Sequence, residues 1–153
     1  MLAFTADDFR RALAPHKRLL GLDVGERTIG LAMCDGGWSV ASPLETLKKG
    51  KLLDDVTILL EVIEQHHIGG LVIGYPLNMD GSLGPRAQSV KQFARNLDRV
   101  LDMPLLLWDE RMSTQAVNKA MLEGDLSRAK RKERVDKLAA AYILQGFLDS
   151  KPT

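Results

Sequence analysis

The stretch Leu19-Leu20-Gly21-Leu22-Asp23-Val24-Gly25 constrains the fold more than any other part of this chain. Side chains alternate along a strand, so Leu20, Leu22 and Val24 share one face while Leu19, Gly21 and Asp23 share the other. Apolar side chains on both faces mean that the strand is covered from both sides. It then ends by delivering a carboxylate into a glycine turn. A charge at the end of a buried strand needs compensation, either from N–H groups of the turn or from a cation.

The flanking sequence supplies the cover. Thr5 to Leu13 reads as a short amphipathic helix with Thr5 as N-cap. After the first strand, Ile29 to Cys34 forms a second, and Asp35-Gly36-Gly37 signals a hairpin into a third strand from Trp38 to Leu47. The period then changes. Leu52, Leu53, Val56, Leu59, Leu60 and Ile63 recur at helical spacing, which predicts a helix over Lys51 to His66. Ile68 to Gly74 and Leu105 to Trp108 are apolar without alternation, as parallel strands buried on both faces are. Between them, Pro85 starts a helix with the stripe Val90, Phe93, Ala94, Leu97, Leu101. Ser113 or Thr114 caps a third helix through Met121; a polar, basic stretch from Gly124 to Lys132 follows, then a last helix from Glu133 to Asp149. A meander followed by right-handed crossovers predicts an α/β fold. Its mixed, central sheet has five strands, the first three antiparallel and the rest added in parallel, with helices on both faces. Residues 1–17 are expected to be a helical extension and 18–150 one domain.

Composition narrows the setting. The 153 residues are 45% hydrophobic and 27% charged, ordinary for a soluble globule. The net charge is +1, so a polyanionic partner has to be argued from local clusters. One cysteine, Cys34, in an apolar strand pattern suits a reducing cytosol. There is no signal-peptide layout and no apolar run of the roughly 18–20 residues that span a bilayer. These features predict a cytoplasmic protein without a membrane partner.

In open α/β sheets ligands bind beyond the carboxyl ends of parallel strands. Asp23, the Asn78/Asp80 glycine loop and Asp109-Glu110 all fall at such ends. Asp136 arrives differently: Ala139, Ala140, Ile143 and Phe147 follow it at i+3, i+4, i+7 and i+11, which puts it on the sheet-facing stripe of the last helix. Asp23, Asp136 and one of the pair Asp109/Glu110 would make an oxygen-only cluster, the ligand type that suits Mg²⁺ or Mn²⁺. Strand alternation puts Asp109 and Glu110 on opposite faces and does not choose between them. Such a centre can activate water and stabilise the leaving oxygen of a phosphodiester. Arg27, Arg86 and Arg111 lie in or beside the strand-end loops, and Arg128, Lys130, Arg131 and Lys132 precede Asp136. They are candidate contacts to nucleic-acid phosphates. No Gly-Lys-Ser/Thr or Gly-x-Gly-x-x-Gly motif is present, which argues against common nucleotide-binding loops.

Four motifs in order, Leu22-Asp23-Val24-Gly25 with Thr28-Ile29-Gly30, Gly74-Tyr75-Pro76-Leu77-Asn78-Met79-Asp80-Gly81-Ser82, Asp109-Glu110-Arg111 with Ser113-Thr114, and Asp136 through Gln145, resemble those of the YqgF/RuvX family. That family is described as Holliday junction resolvases and as pre-16S ribosomal RNA processing nucleases. The resemblance spans Arg18 to Asp149. It implies an RNase H-like fold, a bacterial cytoplasm and divalent-metal phosphodiester hydrolysis. It also implies Asp23, Glu110 and Asp136 as catalytic acids and metal ligands, with structured RNA or branched DNA as partner. It allows a homodimer, which nothing in the sequence itself shows. The alternative function is a non-catalytic nucleic-acid-binding ribosome-assembly factor that keeps the fold. A third reading, from Asp-Val-Gly and Thr, is the phosphate loop of actin-like and sugar-kinase-like ATPases, which need two such domains where this chain has one.

Overall fold

The computed structural model describes the backbone of residues 1–112 and 128–150 and the side chains of residues 1–111 and 137–150. The organising strand is β2 (Arg18–Val24), numbered after a short β1 (Leu2–Ala3) and helix α1 (Ala6–Ala12). Then come β3 (Thr28–Cys34), β4 (Ala41–Lys48), α2 (Leu52–His66), β5 (Ile68–Tyr75), α3 (Pro85–Val100) and β6 (Leu105–Asp109). A 3₁₀ turn (Glu110–Met112) follows β6, and α4 (Arg128–Asp149) is the last described helix.

The sheet runs β1-β6-β5-β2-β3-β4. β2 pairs antiparallel with β3, and β3 with β4. β5 joins β2 in parallel, β6 joins β5, and β1 closes that edge in parallel. This is the mixed α/β sheet expected, with one strand more than the five expected. Leu2–Ala3 is too short to show any periodicity; its position is fixed by pairing with Leu105 and Leu106.

Alternation assigns the two layers. Leu20, Leu22 and Val24 of β2 join Leu71, Ile73, Leu105 and Leu107 beneath α2 and α3, which contribute Val56, Leu59, Phe93 and Leu97. The opposite face carries Leu19, Ala32, Cys34, Val72 and Leu106, covered by Phe9 of α1 and by Ala140, Ile143, Leu144 and Phe147 of α4. Phe9 is fully buried and meets the Phe147 ring edge-on at 5.3 Å. Trp108 meets that ring from another side, at 6.0 Å. Its indole Nε1 is buried with no hydrogen-bond partner among the described residues. Cys34 is buried as expected, its Sγ accepting from the Leu19 N–H at 3.2 Å, and burial pushes the thiol up.

Two boundaries differ from expectation for identifiable reasons. β4 starts at Ala41, not Trp38, because the connection is a wider turn: the Asp35 carboxylate accepts from Ser39 N at 2.8 Å and Val40 N at 2.9 Å, and Trp38 is left-handed with φ 56. α4 starts at Arg128, before the expected Glu133. The basic run is built of Arg, Lys, Ala and Glu, all good helix formers, so a polar composition that reads as a connection is helix instead. The expected helix after Ser113 or Thr114 lies outside the described residues. Among the described residues no helix is long and apolar enough to cross a membrane.

Candidate active site

Asp23 is the last residue but one of β2 and shares its face with Leu19 and Gly21, the face covered by α4. Leu22 pairs with Ile73 of β5, so the next rung sets Asp23 beside Gly74. Gly74 in turn pairs with Trp108 of β6, and two residues further the 3₁₀ turn begins with Glu110. The turn folds Glu110 back over Gly74: a Cβ built there would collide with Glu110 Oε1 and with Ile143 Cδ1 of α4. Gly74 is thus a gap in the central strand between the two acids, and the Glu110 carboxyl group lies in that gap.

Strand register and the 3₁₀ turn thus bring the two acids to either side of Gly74. Burial, then the charge of Asp23, push the Glu110 carboxyl up to about 7; Arg86 pulls it down and Asp109 adds to the rise. Arg86 stands at the start of α3, and its Nη2 donates to the Val24 carbonyl at 3.3 Å, which anchors a cation at the end of β2.

Asp109, which strand alternation left as an equal candidate, has another task. Arg111 clamps it: Nε donates to both carboxylate oxygens at 3.0 Å, Nη2 at 2.6 Å, and the Arg111 backbone N–H at 2.9 Å. The guanidinium holds Asp109 below the usual carboxylate range. Arg111 Nη1 also donates to the Met79 carbonyl at 3.1 Å, tying the turn to the loop after β5. Arg111 therefore braces the rim and engages Asp109, whereas the Glu110 carboxyl lies over Gly74.

The Asn78/Asp80 loop holds itself together. Ser82 N and Oγ both donate to Asp80 Oδ1, at 2.9 and 2.6 Å, and Asn78 Nδ2 donates to Ser82 Oγ at 3.0 Å. Gly81 takes φ 86, a left-handed conformation that glycine adopts without strain. The Ser82 hydrogen bonds keep the Asp80 carboxyl low.

Arg27 is exposed in the β2–β3 turn at the same end of the sheet. The side chains of Asp136, Arg128, Lys130, Arg131 and Lys132 lie outside the described residues, although all five positions belong to α4. Among the described residues no three His, Cys, Asp or Glu side chains form a metal-binding group. The pair Asp23 and Glu110 still fits a divalent cation. Its donors are hard carboxylate oxygens, and their mutual repulsion in a partly buried site is what a positive charge relieves. The role of Gly74 went unread in the sequence. A glycine at the end of an otherwise apolar strand, level with an acid on the next strand, was the available signal.

A family model described as RuvX, Holliday junction resolvase, matches residues 17–150. The chain belongs to the RuvX family. A Zymomonas mobilis relative, provisionally named a pre-16S rRNA nuclease, is 55% identical over 142 residues, covering 93% of this chain and 86% of its own. A Ruegeria pomeroyi relative of the same name is 50% identical over 149 residues, covering 97% of each. Thermus thermophilus RuvC, solved with a Holliday junction substrate, superposes with a TM-score of 0.54 at 15% identity, over 86% of this chain and 94% of its own. At that identity the likeness shows the fold alone, and it is the RNase H-like one expected. RuvX membership and the RNase H-like fold agree with the resemblance read from the four motifs.

Proposed function

We propose that this RuvX-family chain is a divalent-metal-dependent endonuclease that hydrolyses nucleic-acid phosphodiesters, acting in the cytoplasm on pre-16S rRNA ends or on four-way DNA junctions. The observation that carries this reading is the Glu110 carboxyl lying in the gap at Gly74, the residue that the strand register sets beside Asp23. We assign the chemistry to residues 18–150, with 1–17 as an extension packed on them.

Asp23 and Glu110 would hold the cation, Mg²⁺ or Mn²⁺, with Asp136 as third ligand. Position 136 lies one helical turn before Ala140, whose carbonyl approaches Gly21 at 2.8 Å measured to a built Cβ, and two turns before Ile143, which touches Gly74. A cation held there would supply Lewis acidity for activating water and stabilising the leaving oxygen. The chain's own groups do the rest. Arg86 offsets the negative charge of the pair and is positioned to receive a phosphate. Arg111 keeps the turn that carries Glu110 in place. Arg27, Arg128, Lys130, Arg131 and Lys132 are assigned to the flanking phosphates, where they contribute binding without sequence information. A homodimer is compatible with this arrangement and not required by it.

The test is cleavage of pre-16S rRNA ends and of a four-way DNA junction with Mg²⁺ or Mn²⁺. Asp23→Asn and Glu110→Gln are each expected to lose at least about 100-fold, more than the loss of an outer-shell partner typically costs. Wild-type activity in Asp23→Asn would overturn the reading. Binding without cleavage by either protein would favour the assembly-factor alternative.

A further inference from the structure

Because the β2–β3–β4 meander reverses direction twice, the end of β4 returns to the end of the sheet where β2 delivers Asp23. Thr28 pairs with Lys48, and Lys49 N donates to the Arg27 carbonyl at 2.8 Å, so the β2–β3 turn and the β4–α2 connection are joined. Arg27, Lys48 and Lys51 are exposed on this joined surface, and none of them makes an ion pair among the described residues. Lys49 is held differently, with Nζ 5.5 Å from the Phe93 ring centroid. The acids nearby in sequence are Glu26, Glu45 and Asp54, all exposed, and Asp55. Asp55 faces inward, 3% exposed, where it accepts from Gly50 N at 2.9 Å. That partly buried bond fixes the connection from beneath and leaves Lys48 and Lys51 outward.

Resting on the nuclease reading above, we infer that Arg27, Lys48 and Lys51 form a rail for the phosphate backbone of a duplex arm flanking the scissile bond. Arg27 and Lys48 flank the seam between the β2–β3 turn and the end of β4, one inter-strand spacing or about 5 Å apart along the backbone, and Lys51, at the N-cap of α2, continues the row. The rail carries no exposed aromatic side chain: Phe93 is 6% exposed beneath Lys49. Stacking of unpaired bases needs such a platform, so this surface suits a duplex whose bases stay paired and reads backbone alone. The basic run at the start of α4 is a separate segment of the chain, so the rail adds basic residues of the β2–β3 turn and the β4–α2 connection to the binding surface.

The probe is a short RNA hairpin duplex, with the same sequence single-stranded as comparison, titrated by fluorescence anisotropy across a salt series without divalent metal. Replacing Arg27, Lys48 and Lys51 together by glutamine is expected to lower the slope of log Kd against log salt by about 2–3 on the duplex, at roughly 0.9 for each phosphate that is no longer neutralised. Lys17→Gln with Arg18→Gln, at the opposite end of β2, should leave the slope where it is. The Lys48→Arg, Lys51→Arg variant should restore wild-type slope, which a failure to fold would not do. A triple variant with the wild-type slope, or an equal reduction on the single strand, overturns the rail. The outcomes separate from those of the catalytic reading: a lowered slope in a protein that never cleaves sinks the nuclease and keeps the rail, and the reverse pattern does the opposite.

Discussion

On Glu110, burial and a neighbouring charge act on the same proton. Its folded-state pKa of about 7 lies above the ordinary 4.5, so the folded chain holds this proton more tightly than the unfolded one. Stability is therefore lost as pH rises from about 4.5 to about 7, by at most about 3 kcal/mol. The residues with depressed carboxyls, Asp35, Asp80 and Asp109, contribute stability above the ordinary carboxylate range and lose it as pH falls below about 4. The two windows do not overlap. Thermal melts in EDTA should show the wild type declining between pH 5 and 8, while Glu110→Gln removes that decline and melts higher at pH 8. A Glu110→Gln variant with the wild-type profile would mean that Glu110 is not the group held protonated. Adding Mg²⁺ at pH 8 should raise the wild-type melting temperature more than that of Asp23→Asn, which checks metal binding without cleavage.

At the scale of elements, α4 lies against two glycines. A Cβ at Gly21 would meet the Ala140 carbonyl oxygen and Leu144 Cβ, each at 2.8 Å, and one at Gly74 would meet Glu110 and Ile143. Gly21→Ala and Gly74→Ala should each cost about 1–3 kcal/mol, the range for overpacking, read from denaturant midpoints. They differ in activity. Gly74→Ala also displaces the Glu110 carboxyl, so its drop in cleavage should exceed what its unfolded fraction explains, whereas Gly21→Ala should lose cleavage only in step with stability. The same elements show what was legible in the sequence. Long, strongly periodic segments such as α2 and α3, and the apolar strands β2 and β5, declared themselves because burial dictates their residues. The choice between Asp109 and Glu110 could not, since it depends on a 3₁₀ turn and on an arginine clamp formed two residues later. The start of α4 was hidden by composition, because a basic run suits a solvated helix as well as a loop. Asp23 stood out as a candidate because a charge at the end of a buried strand needs a reason.

Over the whole molecule, the first residues do more than extend the chain. β1 adds a strand beside β6, and α1 inserts Phe9 between Leu19, Leu106 and α4. Arg10 lies over the Phe147 ring at 4.8 Å and donates to the Ser150 carbonyl at 2.9 Å, so the N-terminal helix and the end of α4 hold one another. Phe9→Ala should cost about 3–5 kcal/mol, as a fully buried aromatic does, measurable as a lowered urea midpoint. A change within about 0.5 kcal/mol would mean that α1 docks only loosely. The sequence undervalued this segment because seven helical residues cannot build a core alone, yet they can complete one. Trp108 packs against the same Phe147 ring, with its indole N–H lacking a partner among the described residues, two residues ahead of Glu110. The protein thus carries an unlabelled chromophore on the strand that leads to its chemistry. With Trp38 replaced by phenylalanine, the emission of that single indole becomes a native optical signal for whatever settles at the end of β6.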